Sequence, residues 1–207
     1  MSKSRVEAFS DGVFAIAITL LVLEIRVPNL LQATTTAEAA KLLAQWPQYV
    51  AYAMSFLIIG VIWMNHHALF SHLRRIDRAI VILNLLILMA VSFIPFPTAI
   101  LANYPTLPPS IVLYGGTLLL VVVLANVLWF TVLRHDYLNR ATLSERAIRH
   151  TSIRFVLGIV AYALATSIGY FFPRVGIALF LAIVVFYYLP GGLDSDLKGP
   201  GPASSDR

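Results

Sequence analysis

The chain has 207 residues, 59% of them hydrophobic and only 12% charged, with a formal net charge of +5. Soluble domains carry about 25% charged residues; with half of that and a mean hydropathy of +0.81, this is the composition of an integral membrane protein and not of a soluble domain. The absence of cysteine excludes disulfides, thiolate metal centres and cysteine nucleophiles, and the basic excess, spread over membrane-flanking segments, does not point to nucleic acid.

The first span runs from about Ser4 to Ile25. Its head holds Arg5, Glu7, Ser10 and Asp11, and from Gly12 to Leu23 the one polar side chain is Thr19. The apolar run is too long for a signal peptide and no small-residue cleavage site follows it. Charge at such a depth is costly and faces protein or water, so the acid marks a functional region. On a helical wheel of about 100° per residue, with Ile16 at zero, Leu23 falls roughly 20° to one side, Leu20 roughly 40° to the other and Thr19 about 60° away. Phe9 and Gly12 lie within about 40°, whereas Ser10 and Asp11 fall roughly 120° and 140° off. Gly12, Ile16, Thr19, Leu20 and Leu23 therefore form one stripe with the acid turned away from it. Taken alone, such a stripe is a lipid-facing or packing surface.

Arg26-Val27-Pro28-Asn29 ends this helix, and Leu30 to Gln45 reads as an extramembrane loop with a short interfacial helix anchored by Trp46. The second span covers about Pro47 to Leu73 and carries Trp63-Met64-Asn65-His66-His67. The third runs from about Asp77 to Asn103, with Asn84 near its start and a kink or unwinding expected at Pro95 and Pro97. The fourth extends from about Ser110 to Leu133 and contains Asn126. A polar connector, Arg134 to Thr151, includes Thr142-Leu143-Ser144-Glu145, a capping pattern for a short surface helix. The fifth span runs from about Ser152 to Phe172, with Gly158, Ala161, Ala165 and Gly169 on one side for close packing. The sixth runs from Pro173 to about Leu189. Each is near or above the roughly 20 residues that a bilayer needs. The expected fold is an all-α integral membrane protein with six transmembrane helices per subunit. Residues 1–190 form one transmembrane domain, and 191–207, rich in Gly, Pro, Ser and Asp, form a disordered cytoplasmic tail.

Basic residues set the orientation. With the N-terminus inside, twelve Lys and Arg flank the cytoplasmic ends and three (Arg26, Lys41 and Arg174) flank the outer ends, so both termini are expected in the cytoplasm. Ser10, Asp11, Asn65, His66, His67, Asn84 and Asn126 then share one slab on the cytoplasmic side. Polar groups in hydrocarbon need partners, so hydrogen bonds across helices are expected. Asp11 is the natural acceptor for a histidine or the Trp63 indole, and Arg5 pairs with Glu7 or Asp11 or snorkels to the interface. His66 and His67 point about 100° apart and have no HExxH spacing, which favours an interhelical tie over a metal site. There is no GxSxG and no phosphate-cradling loop, so the chain does not read as an enzyme.

Arg5-Val6-Glu7-Ala8-Phe9-Ser10-Asp11 matches RxxxFSD, and with the apolar run that follows and Trp63-Met64-Asn65-His66-His67 on the second span the chain resembles the transmembrane protein 175 family of potassium channels over residues 4–190. The resemblance implies a pore without a TVGYG-type filter, lined by the first helix, in a homotetramer embedded in the cell membrane. It implies that Ile16, five residues after the motif's aspartate, forms a hydrophobic constriction, with Leu20 and Leu23 as further constricting positions and Thr19 as the polar one. It also implies that Arg5, Phe9, Ser10, Asp11, Trp63 and His66 or His67 hold the first helix against its neighbours. No cofactor is implied beyond permeating potassium and other monovalent cations. The alternative is a proton-coupled secondary transporter that uses His66, His67 and Asp11 as a relay. It would have a substrate cavity within one subunit, which the channel would lack.

Overall fold

A computed structural model describes residues 2–26, 35–139 and 144–189. The expected tail, Thr142 and Leu143 lie outside the described residues. The first helix, α1 (Lys3–Leu20), tightens into a 3-10 turn over Leu21–Glu24. The short helix expected before the second span is α2 (Thr35–Ala44). After a turn at Gln45 come α3 (Trp46–Ser71), α4 (Arg78–Phe93), α5 (Pro95–Asn103), α6 (Pro108–Arg134), α7 (Glu145–Phe171) and α8 (Pro173–Tyr188). The third span is thus α4 and α5 joined at Ile94. The kink sits where Pro95 removes a backbone donor.

Among the described residues, five helical runs are long and apolar enough to cross a membrane: 3–24, 46–71, 78–103, 108–134 and 145–171. The sixth, α8, is apolar but only 16 residues long, about 24 Å at 1.5 Å per residue against a hydrocarbon core of about 30 Å. It falls short of the expected span length because the chain turns at Phe172 and leaves helical geometry at Leu189, just before Pro190. The fifth span starts earlier than its hydropathy suggests. Ser144 accepts from the Ala147 N–H and caps α7 itself, so the connector's end is the first turn of that helix and not a separate surface helix.

The helices pack around one core in which α6 meets α4 and α7, α7 meets α8, and α1 lies against α3 and α4. Trp129, Tyr114 and Phe180 are among its largest fully buried side chains. The polar end of α6 closes with a left-handed residue, Asp136 (φ 51°), and the Tyr137 and Asp136 N–H groups return to the carbonyls of Val132 and Leu133. That arrangement satisfies helix-end carbonyls normally closed by glycine. The segment leaving α6 then bonds the α3–α4 turn in an isolated bridge, with Arg74 N–H to Tyr137 O at 2.9 Å and Asn139 N–H to His72 O at 3.0 Å. In this knot Asp77 caps α4 by accepting from the Ile80 N–H and also accepts from the Tyr137 hydroxyl at 2.6 Å. The Ile80 N–H first, and the hydroxyl second, hold the Asp77 carboxyl below its ordinary range. The same bond pushes the Tyr137 phenol up.

Candidate functional site

The two faces of α1 differ. Val6, Ser10, Phe14, Ala17 and Leu21 are buried at spacings of four, four, three and four, the stripe by which a helix packs. The opposite face is left uncovered by the chain's own helices: Ile16 is 61% and Leu23 73% exposed, and Phe9, Gly12, Thr19 and Leu20 are exposed beside them. The Thr19 hydroxyl donates to the Ile16 carbonyl at 2.9 Å, which leaves its oxygen lone pairs directed away from the helix.

Two polar ties hold the buried face. In the first, the Ser10 hydroxyl donates to Val6 O at 2.8 Å and accepts from Asn84 Nδ2 at 3.0 Å. The Asn84 carbonyl oxygen in turn lies 2.7 Å from His66 Nε2. A carbonyl can only accept, so His66 carries its proton on Nε2. Its ring stacks on Phe70 at 4.3 Å and meets Phe14 of α1 at 5.3 Å. Ser10, Asn84 and His66 are all buried, and one amide thereby joins α1, α4 and α3. In the second tie, the Trp63 indole N–H donates to Asp11 Oδ1 at 2.8 Å, and His67 packs on the Trp63 ring at 5.7 Å. The two histidines thus do different work: His66 enters the hydrogen-bonded chain, and His67 backs the indole.

Other expected partners lie elsewhere. Arg5 is exposed and makes no ion pair or hydrogen bond among the described residues, and Glu7 faces Lys3 at 3.8 Å instead. Phe9 is 55% exposed. Arg5 and Phe9 share the uncovered side with Gly12 and Ile16 because they sit at four- and three-residue steps from them. Within one subunit neither holds α1 against a neighbour. Asn65 donates to Val61 O of its own helix and not across helices. Asn126 does cross, from α6 to Phe155 O of α7 at 2.9 Å, but apart from the α1 ties. The single polar slab therefore divides into the two α1 ties, an Asn65 bonded to its own helix and a separate Asn126 tie between α6 and α7.

Sequence reasoning missed two anchors. Lys3 Nζ donates to Ser71 O at 2.8 Å and Leu73 O at 3.0 Å, a cation on the unpaired carbonyls of a helix C-terminus. Buried Ser55 lies 2.9 Å from both Thr98 Oγ1 and Tyr114 OH, tying α3 to α5 and α6. The proline break beside Thr98 was the available signal for the second. Among the described residues no three His, Cys, Asp or Glu side chains converge for a metal ion. A partly open cavity of about 100 Å³ does lie inside the subunit, between α3, α4, α6, α7 and α8, with His66 and Arg154 in its wall. The expectation that a channel subunit would lack one is not met.

Comparison with known proteins bears on this geometry. A family model described as "Endosomal/lysosomal potassium channel TMEM175" matches residues 5–95, the part that holds both α1 ties. A potassium channel of Streptomyces collinus is 41% identical over 189 residues, 89% of this chain and 91% of that one. The chain belongs to the TMEM175 family. A second member, a potassium channel of Chamaesiphon minutus, is 43% identical over 188 residues, 86% of this chain and 91% of its own. The fold agrees with the crystal structure of a lysosomal potassium-selective channel TMEM175 homolog from Chamaesiphon minutus, at TM-score 0.79 and 36% identity over 90% of this chain and 96% of that one. This TMEM175-family chain is a multi-pass membrane protein of an ion-channel family and not an enzyme.

Proposed function

We propose that this TMEM175-family chain is a potassium-permeable channel of the cell membrane. In this reading four copies surround a central axis lined by α1, with both termini cytoplasmic and residues 191–207 as a tail. Ile16 forms the tightest apolar ring, Leu20 and Leu23 extend it outward, and Thr19 offers oxygen to a passing cation. The observation that carries the reading is the contrast on α1: one side is tied to α3 and α4 by polar contacts, the Ser10–Asn84–His66 chain among them buried, while the face bearing Ile16 is left open by its own subunit. Closed cyclic assembly of identical subunits brings like surfaces around one axis, and four isoleucine side chains at such an axis exclude water and gate by dewetting. The relatives named as potassium channels support the cargo.

The experiment is potassium flux from liposomes holding the full chain. Ile16→Asn keeps roughly the same size but wets the ring, so leak and sodium permeation rise. Flux and ion preference unchanged in that variant remove Ile16 from the constriction. The cavity beside His66 is the observation that favours a proton-coupled transporter; saturable flux locked to a pH gradient would replace the channel reading by that one.

A further inference from the structure

We infer that the open groove between α4 and α6 receives α3 of a second copy of this chain, with Phe56 as the side chain that enters it. This deepens the reading in which α1 lines a shared axis, and rests on it. Ser10 of α1 is bonded by Asn84 of α4, and Asp11 of α1 accepts from Trp63 of α3. Adjacent helix positions point about 100° apart, so α4 and α3 flank α1 on two different sides. With α1 turned to the axis, rotation brings the α4 flank of each copy to the α3 flank of the next. That is a head-to-tail contact which closes into a ring.

The two flanks are complementary. The α4 flank carries a groove of about 800 Å³, lined by Leu86, Met89 and Phe93 of α4 and Val112, Gly116 and Leu120 of α6. On α3, Phe56 is 41% exposed and lies within about 20° of Trp63 on the helical wheel, on the side next to α1. The ties to α1 also fix relative depth. Trp63 and Asn84 are level, because they bond adjacent residues of α1. At about 1.5 Å per residue, Phe56 stands about 10 Å outward of that level, between Met89 at about 8 Å and Phe93 at about 14 Å. The knob is therefore level with the groove. Gly116 supplies an independent observation. A Cβ on Gly60, Gly115, Gly158, Gly169 or Gly176 would meet an atom of the same subunit at 3.0 Å or less, whereas one on Gly12 or Gly116 would meet nothing within 4 Å. Glycine weakens a helix interior, and the subunit's own packing does not call for it at these two positions. Gly12 lies on the open face of α1 and Gly116 in the groove wall. In lipid, small residues are where a neighbouring helix comes close, whereas a flexible lipid tail fills a groove without needing one.

Disulfide trapping and native mass spectrometry of the full chain test this. Phe56→Cys and Met89→Cys together in one chain give, on oxidation in liposomes, a ladder of linked species up to four subunits, and either substitution alone gives none. Gly116→Leu fills the groove while meeting open space in its own subunit. It raises the fraction dissociated to monomer in detergent at least tenfold and leaves the helix content unchanged. Ile16→Cys, run in parallel, reports on the axis alone. Linkage through position 16 without the 56–89 ladder, or an undiminished assembly in Gly116→Leu, overturns the groove assignment and leaves the axis standing. Linkage at neither place overturns both. A phospholipid retained at one per subunit and released by Gly116→Leu, with assembly unaltered, would give the groove to lipid and overturn the assignment to a second copy.

Discussion

The α1 anchor and the α7–α8 hairpin hold their helices by opposite means. Around α1 the contacts are made by what the side chains carry: Asn84 joins Ser10 to His66, and Trp63 reaches Asp11. At the α7–α8 turn they are made by what the side chains lack. A Cβ on Gly176 would fall 2.5 Å from the Gly169 Cα and one on Gly169 2.5 Å from the Ile111 side chain, so the two backbones meet only because both positions are glycine. Apolar burial gives little drive between helices in lipid, where association rests on close packing and hydrogen bonds. This fold uses one of those means at each end. The packed hairpin is a fixed support, and the polar anchor orients the helix whose other face is left free.

Variants separate the two mechanisms. The largest effect is expected for Gly176→Ala, where the added methyl meets backbone that cannot give. Overpacking of this kind costs about 3 kcal/mol, read as a lowered unfolding midpoint in detergent. Asn84→Leu, of similar volume, leaves Ser10 and His66 without their common partner. It should cost about 1–2 kcal/mol, since a buried unpaired group is expensive but membrane-embedded partners are partly replaceable. If Asn84→Leu proves costlier than Gly176→Ala, the hairpin is the softer of the two regions. The smallest effect concerns the knot outside the spans. The folded-state carboxyl of Asp77 is lowered, so its contribution is present above the ordinary aspartate value of about 4 and is lost as pH falls through the lowered folded value. The midpoint should drop across that acid window, and Asp77→Asn should flatten the drop.

The membrane class, the order of the helices and the break at Pro95 could be read from hydropathy and proline alone. So could the Trp63–Asp11 contact, because the acid lies off the Ile16 stripe and the indole sits at a matching depth on the second span. The partition of the polar slab could not. His66 and His67 are equivalent in composition and depth, and only the rotation of α3 against α4 brings one of them to Asn84. Asn65 satisfies itself on its own helix, an option that every asparagine has and no sequence pattern reveals. Arg5 and Phe9 were legible as neighbours of Ile16 on the wheel, yet the family resemblance assigned them to an anchor that their own subunit does not form. The cavity beside Arg154 depends on how five helices fail to meet, which no single helix encodes.

The central claim is that the uncovered face of α1 meets its counterparts around a shared axis. The chain contains no cysteine, so single introduced thiols are unambiguous. Ile16→Cys and Val185→Cys, the latter on an α8 position 66% exposed, can be oxidised in liposomes and resolved on non-reducing gels. The account predicts rapid disulfide-linked dimers through position 16, with loss of potassium flux on linkage, and none through position 185. Linkage at 185 with none at 16 would put the Ile16 face against lipid and contradict it.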